Sequence, residues 1–164
     1  MPAAGAEVVV NATAGSHSSA AVAQAEPARG TVLLDVSNAL DGNFPPGLTV
    51  PPGDSTAERL QREHPQAYVV KALNTMNCDV MVRPELVPGE HDVFVAGDDA
   101  AAKAAVTGLL RQFGWPEAAI LDVGPLSAAQ GLEAAVLFWV ALRMAIGHNR
   151  FNFHVVQSGS APAS

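Results

Sequence analysis

An α/β fold, built on a doubly wound parallel sheet, is predicted by three observations. The chain opens on Glu7-Val8-Val9-Val10-Asn11, three valines in a row with almost nothing ahead of them, and then turns through Ala12-Thr13-Ala14-Gly15. Similar short apolar runs recur downstream, each closed by polar residues, and capped helical patterns separate them. A strand buried on both faces reads as a near-continuous β-branched run, and parallel neighbours need helical crossovers. The first strand is therefore expected in the middle of a sheet. Ligands of open α/β sheets sit outside the carboxyl ends of the strands, so the turn from Asn11 to Gly15 is the first place to look for chemistry.

The elements follow in order. Residues Ser16 to Glu26 predict a helix that Pro27 stops, and Thr31-Val32-Leu33-Leu34-Asp35-Val36 predicts a second buried strand ending at Ser37-Asn38. The stretch Ala39 to Asp54 holds four prolines and three glycines and predicts a long irregular loop, a candidate cover for a site. Ser55-Thr56-Ala57-Glu58 matches a capping box, and the helix it opens must end near His64 because Pro65 follows. Ala67 to Leu73 predicts a third strand running into Asn74-Thr75-Met76-Asn77. In a parallel sheet, these three polar ends line one edge.

Asp92 to Ala96 predicts a fourth strand, with Asp98 or Asp99 capping the next helix. Val106, Leu109, Leu110 and Phe113 fall on one helical face, and Gly114 stands where a left-handed terminator is expected. Ile120 to Val123 predicts a fifth strand. A long helix follows from about Ser127 to Met144, apolar almost all round, which calls for burial in the core or, preferably, against a second subunit. Its uninterrupted apolar run, Ala134 to Leu142, is well short of the roughly 20 residues a bilayer requires, and no membrane partner is expected. Phe151 to Val156 predicts a short terminal strand, and residues 158–164 a disordered tail.

Composition excludes several function classes. The chain has 164 residues, 49% of them hydrophobic, enough for one domain with a core. A net charge of −7 disfavours a nucleic-acid surface, which needs a basic patch. One cysteine, Cys78, precludes an internal disulfide, and the five scattered histidines show no metal-ligand spacing, so no metal is expected. Nothing near the amino terminus reads as a signal peptide, and a cytoplasmic location is expected. No two glycines are two apart, so a GxGxxG dinucleotide turn is not present.

Three strings carry a family resemblance: Asp35-Val36-Ser37-Asn38-Ala39-Leu40-Asp41, Val69-Val70-Lys71-Ala72-Leu73-Asn74-Thr75-Met76-Asn77, and His91-Asp92-Val93-Phe94-Val95-Ala96-Gly97-Asp98-Asp99. In this order and spacing the chain resembles the NADPH-dependent reductases of the deazaflavin coenzyme F420, from about Ala6 to Val156. The resemblance implies an incomplete Rossmann-type sheet over residues 1–157, with a C-terminal helical extension, helix 127–147. A full member carries in addition a leading strand, a GxGxxG-type turn and a second strand, so this chain would match its C-terminal two-thirds and be truncated at the amino end.

The implied cofactors are NADP and, as the hydride acceptor, F420. Asn11, Ala12 and Thr13 match the family turn beside the nicotinamide ribose, and Asn38 and Asn74 match polar strand ends near the reaction centre. Gln130, in the C-terminal motif, stands where the family commonly has Arg; Leu132 and Leu137 stand where Thr and Pro are usual, and Ala134 and Val136 where the archaeal type has Ser and Thr. No catalytic side chain is expected, because the cofactors carry the hydride and the protein supplies orientation and exclusion of water. Glu133 reads equally as a surface charge or as the family's retained acidic position. The expectation is an oxidoreductase transferring hydride between NADPH and a deazaflavin, homo-oligomeric through its C-terminal helix. The alternatives are a non-catalytic or subunit-completing module, or a related NADP-dependent reductase with another acceptor.

Overall fold

The computed structural model describes residue 3 and residues 5–158. Five strands, β1 (Val8–Asn11), β2 (Val32–Asp35), β3 (Tyr68–Ala72), β4 (Val93–Gly97) and β5 (Ile120–Gly124), form one sheet in the spatial order β1-β2-β3-β4-β5. Around it pack α1 (Ser18–Ala25), α2 (Thr56–Glu63), α3 (Cys78–Val82), α4 (Ala100–Gln112) and α5 (Ala129–Ile146). This is the Rossmann-like α/β fold with a C-terminal helix.

Strand alternation divides the core into two layers. Val32, Leu34, Val70, Val93 and Val95 pack on one face with Val106 and Leu110 of α4 and with Trp115. Leu33 and Val69 face the other way, against Val22 of α1, Ala57 and Leu60 of α2, and Ala129 of α5. Capping follows the sequence: the Ser55 hydroxyl accepts from the Glu58 amide, and Glu58 reaches back to that hydroxyl at 2.8 Å. Gly114 takes φ +100 where α4 ends.

Three expectations are corrected. β1 is an edge strand rather than a central one, with Val8 36% and Val10 51% exposed. The sheet is mixed: β1, β2 and β3 are parallel, whereas β4 runs antiparallel to β3, and β5 is parallel to β4. The link from β3 to β4 holds five-residue α3 and a 3₁₀ turn at Pro84–Leu86 and brings the chain back to the end of the sheet it left, so β4 runs back alongside β3. Phe151 to Val156 forms no strand. A buried Asp92 carboxylate takes the Val155 amide at 2.6 Å, and a single backbone bond, Asp92 N–H to the Phe153 carbonyl, replaces a ladder.

The turn and helix from Leu126 to Ile146 are long and apolar enough to cross a membrane by length and composition, and most of this stretch is not buried. The buried residues of α5, Ala129, Glu133 and Val136, lie in its first half, which Glu133 ties to the sheet, and the second half is largely exposed. The expected disordered tail, from residue 159 onward, lies outside the described residues.

Candidate functional site

The parallel register places Asn11, Asp35 and Lys71 side by side at the carboxyl ends of β1, β2 and β3. All three are buried. The Lys71 ammonium donates to Asp35 Oδ2 at 2.7 Å, to the Ser37 carbonyl at 2.6 Å and to Glu133 Oε1 of α5 at 3.0 Å. Asn11 Nδ2 donates to Asp35 Oδ1 at 2.7 Å and to Ser18 Oγ at 2.9 Å, and the Thr13 hydroxyl donates to Asn11 Oδ1. Glu133 accepts the amides of Thr56 and Ala57 at the start of α2, so its second carboxylate oxygen is satisfied by the positive end of a helix. A buried charge persists only when paired and hydrogen-bonded, and each member of this row meets that condition.

Above the row lie Ser37, Asn38 and Asn74. Asn38 Nδ2 donates to the Asn74 carbonyl and Asn74 Nδ2 returns a bond to Asn38 Oδ1, both at 2.9 Å. Asn74 Nδ2 also donates to the Leu132 carbonyl at 2.8 Å, which fixes α5 over the strand ends. Leu73, immediately before Asn74, has φ +65 and is buried. A bulky residue in the left-handed region is strained by about 1–3 kcal/mol, and such strain clusters where a site needs a residue aimed out of its strand.

Two buried polar atoms here, Ser37 Oγ and Asn74 Oδ1, have no hydrogen-bond partner among the described residues. One can donate and both can accept, a fit to a ligand edge that carries a donor and an acceptor together. The β1–α1 turn closes in from the other side: Gly15 N–H donates to the Asn38 carbonyl at 3.1 Å, and a Cβ on Gly15 would lie 2.5 Å from that oxygen.

The loop from Ala39 to Asp54 leaves this edge and returns to it. Leu40 and Leu48 form an antiparallel bridge, and Asp41 Oδ1 accepts from the Gly47 amide at 2.9 Å and the Asn43 amide at 3.1 Å. These bonds, with the Asn43 side-chain amide, hold the Asp41 carboxyl below the usual carboxylate range. At the far foot Asp54 is lowered mainly by its hydrogen bonds to Arg62, with burial opposing. Gln130 Nε2 donates to the Gly53 carbonyl and to both oxygens of Glu58.

The structure thus brings Asn38 and Asn74 into direct contact and sets Asn11 beneath the same edge, its amide spent on internal bonds. Ala12 and Thr13 are exposed at the end of β1, and Gln130 braces the loop foot. Sequence reasoning placed Ser37 at the edge but missed Asp35 and Lys71, although a charge at the end of Val32-Leu33-Leu34-Asp35 and another inside Tyr68-Val69-Val70-Lys71-Ala72 were visible signals of a buried pair. The surface reading of Glu133 is overturned: it is fully buried.

Fold and edge together define a Rossmann-like α/β protein with a polar site at the strand ends. No family model matches the chain. A solved structure from Arthrobacter sp., provisionally described as an F420-dependent NADP reductase, shares 43% sequence identity with a TM-score of 0.89 over 94% of this chain and 71% of its own. A hypothetical protein from Sinorhizobium meliloti shares 27% identity, TM-score 0.64, over 77% of this chain and 60% of its own. The metalloreductase STEAP3 of Rattus norvegicus is 30% identical over 132 residues, 80% of this chain, and the chain spans 25% of that relative's length. The chain belongs to the family of the Arthrobacter reductase.

Proposed function

We propose that this chain is an NADP-dependent oxidoreductase of the NADPH:F420 type, with the nicotinamide half of the dinucleotide at the carboxyl-end edge. The observation that carries this reading is the 43% identity, across 94% of the chain, to a protein described as an F420-dependent NADP reductase. Strained Leu73 and the unpartnered Ser37 Oγ and Asn74 Oδ1 support the choice of edge.

When bound, NADPH supplies the hydride and the deazaflavin accepts it. The protein's work is placement: Ala12 and Thr13 would hold the nicotinamide ribose, Asn38 and Asn74 would orient the reacting rings, and Asn11 fixes the turn that carries Thr13. Gln130 acts through the loop foot. With the rings aligned, transfer needs no protein nucleophile, and exclusion of water protects the hydride.

Nothing in the sequence reads as a dinucleotide phosphate loop. Among the described residues no strand covers the outer edge of β1, whose valines are exposed; this edge suits a further strand carrying a glycine-rich turn, and in this reading that strand belongs to the complete enzyme. The same edge favours a second reading, a module that completes the sheet of another subunit. The exposed second half of α5, where Phe138 is 58% and Met144 57% exposed, suits a two-fold pairing with a second copy. At about 1.5 Å per residue, Phe138 to Ile146 presents roughly 13 Å of helix to that pairing.

The test is calorimetric titration of NADPH into the 164-residue chain and into the same chain extended upstream in its reading frame to any glycine-rich start, followed by an assay of deazaflavin reduction. Binding by the extended chain, with deazaflavin reduction, supports the proposal. Failure of both chains to bind NADPH overturns it, and binding without deazaflavin reduction assigns another acceptor.

A further inference from the structure

The loop from Ala39 to Asp54 spends many hydrogen bonds on holding one apolar ring in water. Both feet stand on the strand-end edge: Ala39 is buried beside Asn38, its carbonyl accepting the Thr49 amide at 2.7 Å, and the Gly53 carbonyl is held by Gln130. Between them the Leu40–Leu48 bridge makes a two-stranded finger, reinforced by the Asp41 amide donating to the Gly47 carbonyl at 2.9 Å. Asp41 ties down the tip through Asn43 and Gly47. On that tip sits Phe44, 69% exposed, with Pro45 and Pro46 directly after it.

An isolated exposed apolar residue needs no explanation on an ordinary surface. Here, however, the backbone is tied on both sides, and the two prolines have their φ angles locked by their rings. Fixing a ring in advance removes the ordering cost that a floppy aromatic would incur on binding. The finger rises from β2, next to the β1 turn proposed for the nicotinamide ribose. Two rings stacked for hydride transfer leave one outer face open to water, and a flat aromatic side chain covers such a face by offset stacking.

We infer that Phe44 is a binding residue for the flat tricyclic ring of the hydride acceptor, stacking on the face turned away from the nicotinamide. This rests on the reductase reading above. Phe44 makes its contribution to acceptor affinity and leaves the dinucleotide untouched.

The test is fluorescence titration of oxidised deazaflavin, and separately of NADPH, into the upstream-extended chain with Phe44, Phe44→Ala or Phe44→Trp. Because Phe44 lies outside the core, circular dichroism and urea unfolding should coincide for the three proteins. The expected result is a deazaflavin Kd weakened roughly tenfold by Phe44→Ala and retained by Phe44→Trp, with NADPH affinity unchanged. Equal deazaflavin affinity for all three proteins overturns the assignment of Phe44 while leaving the reductase reading intact. Loss of NADPH affinity in Phe44→Ala also overturns it, by moving the ring to the dinucleotide. An unsubstituted chain that binds neither ligand overturns both.

Discussion

Lys71 on β3 and Glu133 on α5, 62 positions apart in sequence, meet at 3.0 Å with both side chains sealed from solvent. This pair joins the last helix to the sheet at the level of the candidate site. Lys71→Met strands Asp35 and Glu133 as buried carboxylates facing each other, and should cost about 3–5 kcal/mol in urea unfolding. The triple change Asp35→Asn, Lys71→Met, Glu133→Gln removes every charge and should cost less than the single one. A larger loss in the triple variant would contradict the ion-pair account.

Gly15 is a close-approach glycine rather than a turn glycine, since its φ lies outside the left-handed region while a Cβ would press on the Asn38 carbonyl at 2.5 Å. Backbone must move to admit it. Gly15→Ala should destabilise by about 1–3 kcal/mol and shift the amide resonances of Asn38 and Asn74. Unchanged resonances would mean that the turn and the β2 end are not coupled.

Asp41 sets a pH limit on the finger. Its folded pKa is depressed, chiefly by the Gly47 amide, so its contribution to order is present above the ordinary carboxylate pKa and is lost as pH falls through the depressed one. A carbon-detected titration should show Asp41 protonating below the ordinary carboxylate range, with the amide resonances of Asn43 and Gly47 moving in step. Titration of Asp41 within that range would mean that its carboxylate does not brace the tip.

The second half of α5 is the exposed apolar surface proposed for self-association. Phe138→Glu with Met144→Glu should convert a dimer in sedimentation velocity to a monomer without changing far-ultraviolet circular dichroism. A monomeric unsubstituted chain would contradict the pairing.

Much of the fold could be read in the residues. The apolar runs and the caps at Ser55 and Asp99 place strands and helices close to where they lie, because strand period and helix capping are local physics. The order of strands was less legible. Nothing local in Asn77 to His91 says that the chain turns back before β4. The valines of β1 read as buried because composition reports what a strand suits, not whether a neighbour covers it.

At the site, the asparagines at the strand ends were legible as polar turns. The row Asn11–Asp35–Lys71 was not, because it exists only through register across three strands. Glu133, set in an apolar helix, gave no hint that its partner lay on β3.

The most direct measurement is an amide chemical-shift map of the upstream-extended chain during titration with NADPH, which registers even weak binding. Shifts confined to Ala12–Gly15, Ser37–Asn38 and Asn74–Asn77 are the predicted result. Shifts at the opposite edge, around Ala28–Thr31 and Asp98, or none at millimolar NADPH, would contradict the placement of the nicotinamide.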